Sequence, residues 1–87
     1  MRRAAKVRSA RDLGSAIAEA RRLRGLTQAE LSESVGVHRS YLAAIETGAS
    51  VALLERVFRI CRRLGVEITV TLPDPASAEG TSEVTDG

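Results

Sequence analysis

Residues 27–48 read TQAELSESVGVHRSYLAAIETG, and no other stretch restricts the fold as tightly. Thr27 followed three residues later by Glu30 is a capping box, in which the hydroxyl accepts from the Glu30 amide while the carboxylate reaches back. It starts a helix whose inner face is expected to carry Leu31 and Val35, beside Ala29 and Leu26. Gly36 permits the left-handed backbone of a sharp turn, and Val37 packs into the corner. A further helix is expected from about His38 to Glu46, with Leu42 and Ile45 inward, until Gly48 stops it. Helices this short bury little against each other, so their stability must come from the rest of the chain.

The flanking segments supply that support. Ser9 offers an N-cap, with Asp12 near the positive end of the helix dipole. Leu13, Ala16, Ile17 and Ala20 follow at helical spacing. Gly25 ends this first helix, and Arg21, Arg22 and Arg24 lie in its last turns, where the dipole favours cations. After the central pair, Ser50 can cap a fourth helix with apolar Leu53, Leu54, Val57, Phe58, Ile60, Cys61 and Leu64. That stripe is wider than one helix needs to cover its own small domain. Arg56, Arg59, Arg62 and Arg63 take the opposite face, and Gly65 ends the helix.

The period then changes from helical to two. Val66, Ile68, Val70 and Leu72 alternate with Glu67, Thr69 and Thr71, which predicts a strand over residues 66–72. It is the one strand that the pattern predicts, and a lone strand leaves a row of unpaired amides and carbonyls. The simplest partner is the same strand of a second copy. The expected architecture is therefore mainly all-α, with Val66, Ile68, Val70 and Leu72 forming an intermolecular two-stranded ribbon over the wide face of the fourth helix in a homodimer. The expected divisions are a flexible basic arm over 1–8, a helical domain over 9–65, the dimerising strand over 66–72, and an acidic, disordered tail over 73–87.

Size and charge agree with this plan. A chain of 87 residues, 44% apolar and 28% charged, suits one small domain, which alone buries only about 60% of its unfolded surface. One cysteine, Cys61, excludes an intrachain disulfide, gives no support to a zinc site, and reads as a small buried apolar residue of a cytoplasmic protein. No apolar run approaches the roughly 20 residues of a bilayer span, and no signal-peptide core follows the basic start. Two aromatics, Tyr41 and Phe58, are too few for a single-strand stacking platform. The net charge of +2 is unevenly spread. Residues 1–24 hold eight cations and two acids, residues 25–65 five and four, and residues 66–87 none and five. A basic front half suits a phosphate backbone, and an acidic tail suits a basic protein partner. With one His and one Cys, the chain offers no catalytic constellation, metal set or cofactor motif, so an enzyme is not expected.

A helix, a tight glycine turn and a second helix is the geometry that holds the second helix in the major groove of double-stranded DNA. Its N-terminal residues, His38, Arg39 and Ser40, would then meet base edges. Arg39 can bond a guanine through two donors, and Ser40 is an adaptable polar contact. One turn on, Ala43 and Ala44 let the backbone approach the bases. Gln28, opening the preceding helix, can present its amide to a phosphate. His38 reads equally as a cap of its own helix, and Tyr41 as a phosphate contact or a cover for the core edge.

The stretch LRGLTQAELSESVGVHRSYLAAIETG resembles the Cro/C1-type helix-turn-helix of phage-repressor-like (XRE) proteins over roughly residues 12–65. Gly25, Leu26, Thr27, Gln28, Glu30, Leu31, Gly36, Val37, Ile45, Glu46 and Gly48 carry the match. The resemblance implies a four-to-five-helix, lambda-repressor-like DNA-binding domain. It implies that Gln28 contacts phosphate, that Arg21 and Glu46 form a structural ion pair, and that residues 38, 39, 40, 43 and 44 read bases. His38 stands where a Ser or Thr cap is usual, and Ala44 where a long polar base reader is common. The family's usual fifth helix is replaced by VEITVTLP. In that respect the chain is similar to HipB-type antitoxins, whose partners are HipA-type serine/threonine kinase toxins. The implied function is an autoregulating, nucleoid-associated bacterial repressor of a toxin-antitoxin operon; the alternative is a free-standing regulator of the same fold without a toxin.

Overall fold

The computed structural model describes residues 3–49 and 52–75. In chain order these form strand β1 (Arg3–Val7), helices α1 (Ala10–Leu23), α2 (Gln28–Val35), α3 (Arg39–Thr47) and α4 (Ala52–Leu64), and strand β2 (Ile68–Leu72). The mainly helical class expected from the sequence is the one observed. Ser50 and residues 76–87 fall outside the described residues, so the expected fourth-helix cap and most of the acidic tail do too.

Local chemistry sets the helix ends. The Ser9 hydroxyl accepts from the Asp12 amide at 3.1 Å, and the Asp12 carboxylate accepts from the Arg8 amide at 2.9 Å. The box at α2 is complete: Thr27 Oγ1 accepts from the Glu30 amide at 3.0 Å, and Glu30 Oε1 accepts from the Thr27 amide at 2.9 Å. Gly36 closes α2 with φ +74°, and Gly48 closes α3 with φ +77°. In that conformation a Cβ would crowd the following carbonyl, so glycine stands at each turn without strain.

Helix α1 is the hub, packing against α3, α4, β1 and β2, while α2 packs on α3. The face of α1 that is most buried differs from the one the apolar spacing suggests. Ala10, Gly14 and Ala18 are buried, whereas Leu13, Ala16, Ile17 and Ala20 are only partly so. The small side chains allow backbone-to-backbone approach: a Cβ on Gly14 would lie 2.0 Å from the Ile45 carbonyl oxygen. On α2 the inward residue is Ser32, and the expected Val35 is exposed. Ser32 tolerates burial because its hydroxyl donates to the Ala29 carbonyl at 3.0 Å. Among the described residues, the other buried apolar side chains are Val7, Leu42, Phe58 and Leu72, one from each of β1, α3, α4 and β2. Cys61 is half-buried.

The strand expected to stand alone has a partner in its own chain. β1 and β2 pair antiparallel, with Arg3 opposite Leu72, Ala5 opposite Val70 and Val7 opposite Ile68. Residues 3–7 are therefore a strand, not a free arm, and the ladder expected from a second copy is made internally. The sequence RAAKV hides this, because alanine is a poor strand former and one buried valine makes little alternation. Of the four residues expected to join two copies, Leu72 is buried within its own chain, Ile68 and Val70 are half-buried beside α1, and Val66 is exposed. Two charges of the arm pair within the chain at exposed positions: Arg3 with Glu19 of α1, and Lys6 at 3.5 Å from Glu67. Arg62 of α4 donates to the Arg8 carbonyl at 2.7 Å, tying the end of the ribbon to the last helix.

Candidate nucleic-acid interface

Helix α3 is held from behind by a charged cluster. Arg21, near the end of α1, donates from Nε to Glu46 Oε2 at 2.7 Å and from Nη2 to Glu46 Oε1 at 3.1 Å. Two parallel bonds between a planar guanidinium and a carboxylate fix orientation as well as distance. Arg21 Nη1 also donates to the Leu26 carbonyl at 2.9 Å, so one side chain joins the end of α1, the entry to α2 and the end of α3. The side chains of Arg21 and Glu46 are only 12% and 5% exposed. The Arg21 hydrogen bond holds the Glu46 carboxyl below its ordinary range, against the opposing effect of burial, with Gln28 adding to the lowering. The same pairing raises Arg21 above its ordinary value.

Gln28 belongs to this cluster as well. Its Nε2 donates to Glu46 Oε1 at 2.9 Å, a bond that the spacing of the two residues does not reveal. The carboxamide is thereby braced at the first residue of α2. A primary amide carries two hydrogens, so one donor is left beside the backbone amides of that helix start.

The outward face of α3 carries the other residues singled out from the sequence. His38, Arg39, Ser40 and Tyr41 are exposed, and Ala43 and Ala44 are half-buried. Arg39 with Ala43, and Ser40 with Ala44, are spaced i, i+4 and share a face. Leu42 is buried and anchors the helix on its opposite side. His38 is the N-cap of α3: its Nδ1 accepts from the Ser40 amide at 3.3 Å and lies 2.8 Å from the Ser40 hydroxyl. His38 thus holds the Ser40 hydroxyl at the start of the helix. Tyr41 is 60% exposed and does not cover the core.

One positioning residue escapes a reading based on apolar spacing. Gly14 sets how closely α1 approaches the end of α3, one residue before Glu46. The available signal was a glycine placed mid-helix, where it costs about 1 kcal/mol relative to alanine, flanked by Ala10 and Ala18 at four-residue spacing.

A short helix pair joined by a glycine turn, with its second helix outward and braced from behind, defines a helix-turn-helix DNA-binding transcription regulator. The helix-turn-helix family HTH_3 matches residues 17–70, and the chain belongs to that Cro/C1-type family. Neither the curated proteins nor the solved structures gave a match. Among the described residues no helix is long and apolar enough to cross a membrane.

Proposed function

We propose that the protein is a sequence-specific repressor that binds double-stranded operator DNA as a homodimer in the bacterial cytoplasm. In this reading Arg39 and Ser40 contact base edges, and Ala43 and Ala44 allow close approach. Tyr41 and Gln28 contact phosphates, and His38 fixes the start of the helix. The observation that carries it is the outward face of α3, with Arg39 and Ser40 exposed while Leu42 and Glu46 anchor the helix from within. Cationic and small residues on a projecting helix are what groove entry requires.

The narrower proposal is that this repressor is a HipB-like antitoxin of a HipA-like kinase toxin. It is supported by strand β2 following α4 where the family's usual fifth helix would stand. A gene for a kinase-like toxin beside this one, whose product co-purifies with the chain, is the expected finding; an unrelated neighbourhood would remove the antitoxin role and leave the regulator.

Operator binding is tested by titrating DNA at several salt concentrations. A dimer contacting about eight phosphates gives a log–log slope near −7, from roughly −0.9 per phosphate. A slope close to zero would exclude operator binding.

A further inference from the structure

Helix α4 turns Phe58 into the core and leaves a second apolar face outside. Leu53, Val57, Ile60 and Leu64 are 71%, 40%, 58% and 69% exposed. Scattered single exposures are ordinary on small proteins, but four large residues aligned on one helix are not. Their spacing of four, three and four residues is the seam of a left-handed helix pair.

That spacing is the same read from either end. Two copies of α4, laid antiparallel about a two-fold axis between Val57 and Ile60, set Leu53 against Leu64 and Val57 against Ile60. All four residues then find apolar partners at once. A two-fold interface must be complementary to itself, and this stripe meets that condition by its spacing alone. We propose that α4 packs antiparallel against α4 of a second copy along this seam, and that this contact, not a strand ribbon, carries the homodimer. It deepens the dimeric operator-binding reading but rests on α4 alone.

The area needed says what else takes part. Thirteen helical residues span about 20 Å, and a stripe about 10 Å wide offers a footprint of roughly 200 Å² per copy. A stable interface needs about 800 Å² per partner, so the flanks must contribute. Val66, 50% exposed, donates from its amide to the Cys61 carbonyl at 2.8 Å and lines one hollow with Cys61, on one flank of the seam. Leu54 and Cys61, half-buried, run along that same side of the seam. Helix α3 packs mainly on α1 and α2, and Arg39 and Ser40 are not among the residues that the seam pairs.

Charge separates a second copy from an acidic partner. Exposed Arg56 and Arg63 line the other flank of the seam, and the antiparallel pairing brings Arg56 of one copy towards Arg63 of the second. Added salt screens that repulsion, so self-association strengthens with ionic strength. Binding of an acidic helix to the same flank would weaken.

Two measurements on the full chain test the pairing. Sedimentation without DNA is expected to show a concentration-dependent dimer that Ile60→Asp converts to monomer, with the helical circular dichroism unchanged because Ile60 is exposed. In a Cys61→Ser background, Leu53→Cys combined with Leu64→Cys is expected to give a disulfide-linked dimer on mild oxidation. Leu53→Cys alone places the two thiols about 16 Å apart along the helices, from eleven residues at 1.5 Å each, which is beyond disulfide reach. A wild-type chain that stays monomeric at its highest soluble concentration overturns the proposal, as does an Ile60→Asp chain that dimerises like wild type. Cross-linking by Leu53→Cys alone overturns the antiparallel register. Should Ile60→Asp unfold, the cysteine pair decides. None of these readouts requires DNA, so a failure of operator binding leaves them standing.

Discussion

Replacing Gly14 by alanine isolates the contact that positions α3. The added Cβ would lie 2.0 Å from the Ile45 carbonyl oxygen, 3.1 Å from the Ile45 carbonyl carbon and 3.2 Å from that of Glu46. An optimal separation is roughly 3.5 Å, so α1 and α3 must part by about 1.5 Å. The obstructing atoms are backbone and cannot rotate aside. Overpacking of this kind costs about 1–3 kcal/mol, and a backbone clash belongs at the upper end. Alanine recovers about 1 kcal/mol of helix propensity over glycine. The expected net loss is about 2 kcal/mol, or a fall in Tm of roughly 8–16 °C for a domain of this size. Urea unfolding followed by circular dichroism measures it, with Ser15→Ala, at the neighbouring exposed position, as the control for propensity alone. Ser15→Ala should gain a few tenths of a kcal/mol. A Gly14→Ala chain as stable as that control would refute the close approach of α1 to α3, and with it the account of how the outward helix is held.

Three further outcomes follow from the same geometry. Glu46 has its folded pKa below the unfolded value near 4.5, so its contribution to stability is present above that pH and lost as pH falls through the folded value. The urea midpoint should therefore drop on acidification below about 4.5, and Glu46→Gln should abolish that part of the drop while costing about 3 kcal/mol at neutral pH by leaving the Arg21 charge without its carboxylate. Arg39→Ala should leave the unfolding midpoint unchanged, because the side chain is exposed, yet cost roughly 1–3 kcal/mol of DNA binding and relax preference at one base position; an equal loss on every sequence would demote Arg39 to a phosphate contact. Val7→Ala should destabilise by about 1–2 kcal/mol, since Val7 is buried and faces Ile68 across the ribbon, and an unchanged midpoint would mean that the first strand is not packed as described.

What the sequence determined by itself was whatever depends on neighbours within one turn. The Ser9 cap, the Thr27–Glu30 box and the left-handed glycines at 36 and 48 bound the helices because each involves residues at most four apart. The outward Ser40 was legible for the same reason, since Leu42 had to face inward and a residue two positions away then could not; Arg39, three residues from Leu42, is exposed because it opens the helix. The Arg21–Glu46 pair was legible only through the resemblance, because 25 residues separate its members. Tertiary structure alone decided the rest. It chose Ala10, Gly14 and Ala18 over the bulkier face of α1, because close helix approach rewards the absence of side chains more than their hydrophobicity. It buried Ser32 in place of Val35, brought Gln28 onto Glu46, and gave β2 a partner 61 to 69 residues away in RAAKV. It also divided the broad apolar surface of α4, turning Phe58 inward and leaving Leu53, Val57, Ile60 and Leu64 outside. Periodicity reports that a residue is apolar, but which side of a two-sided helix meets the core depends on where the other elements stand.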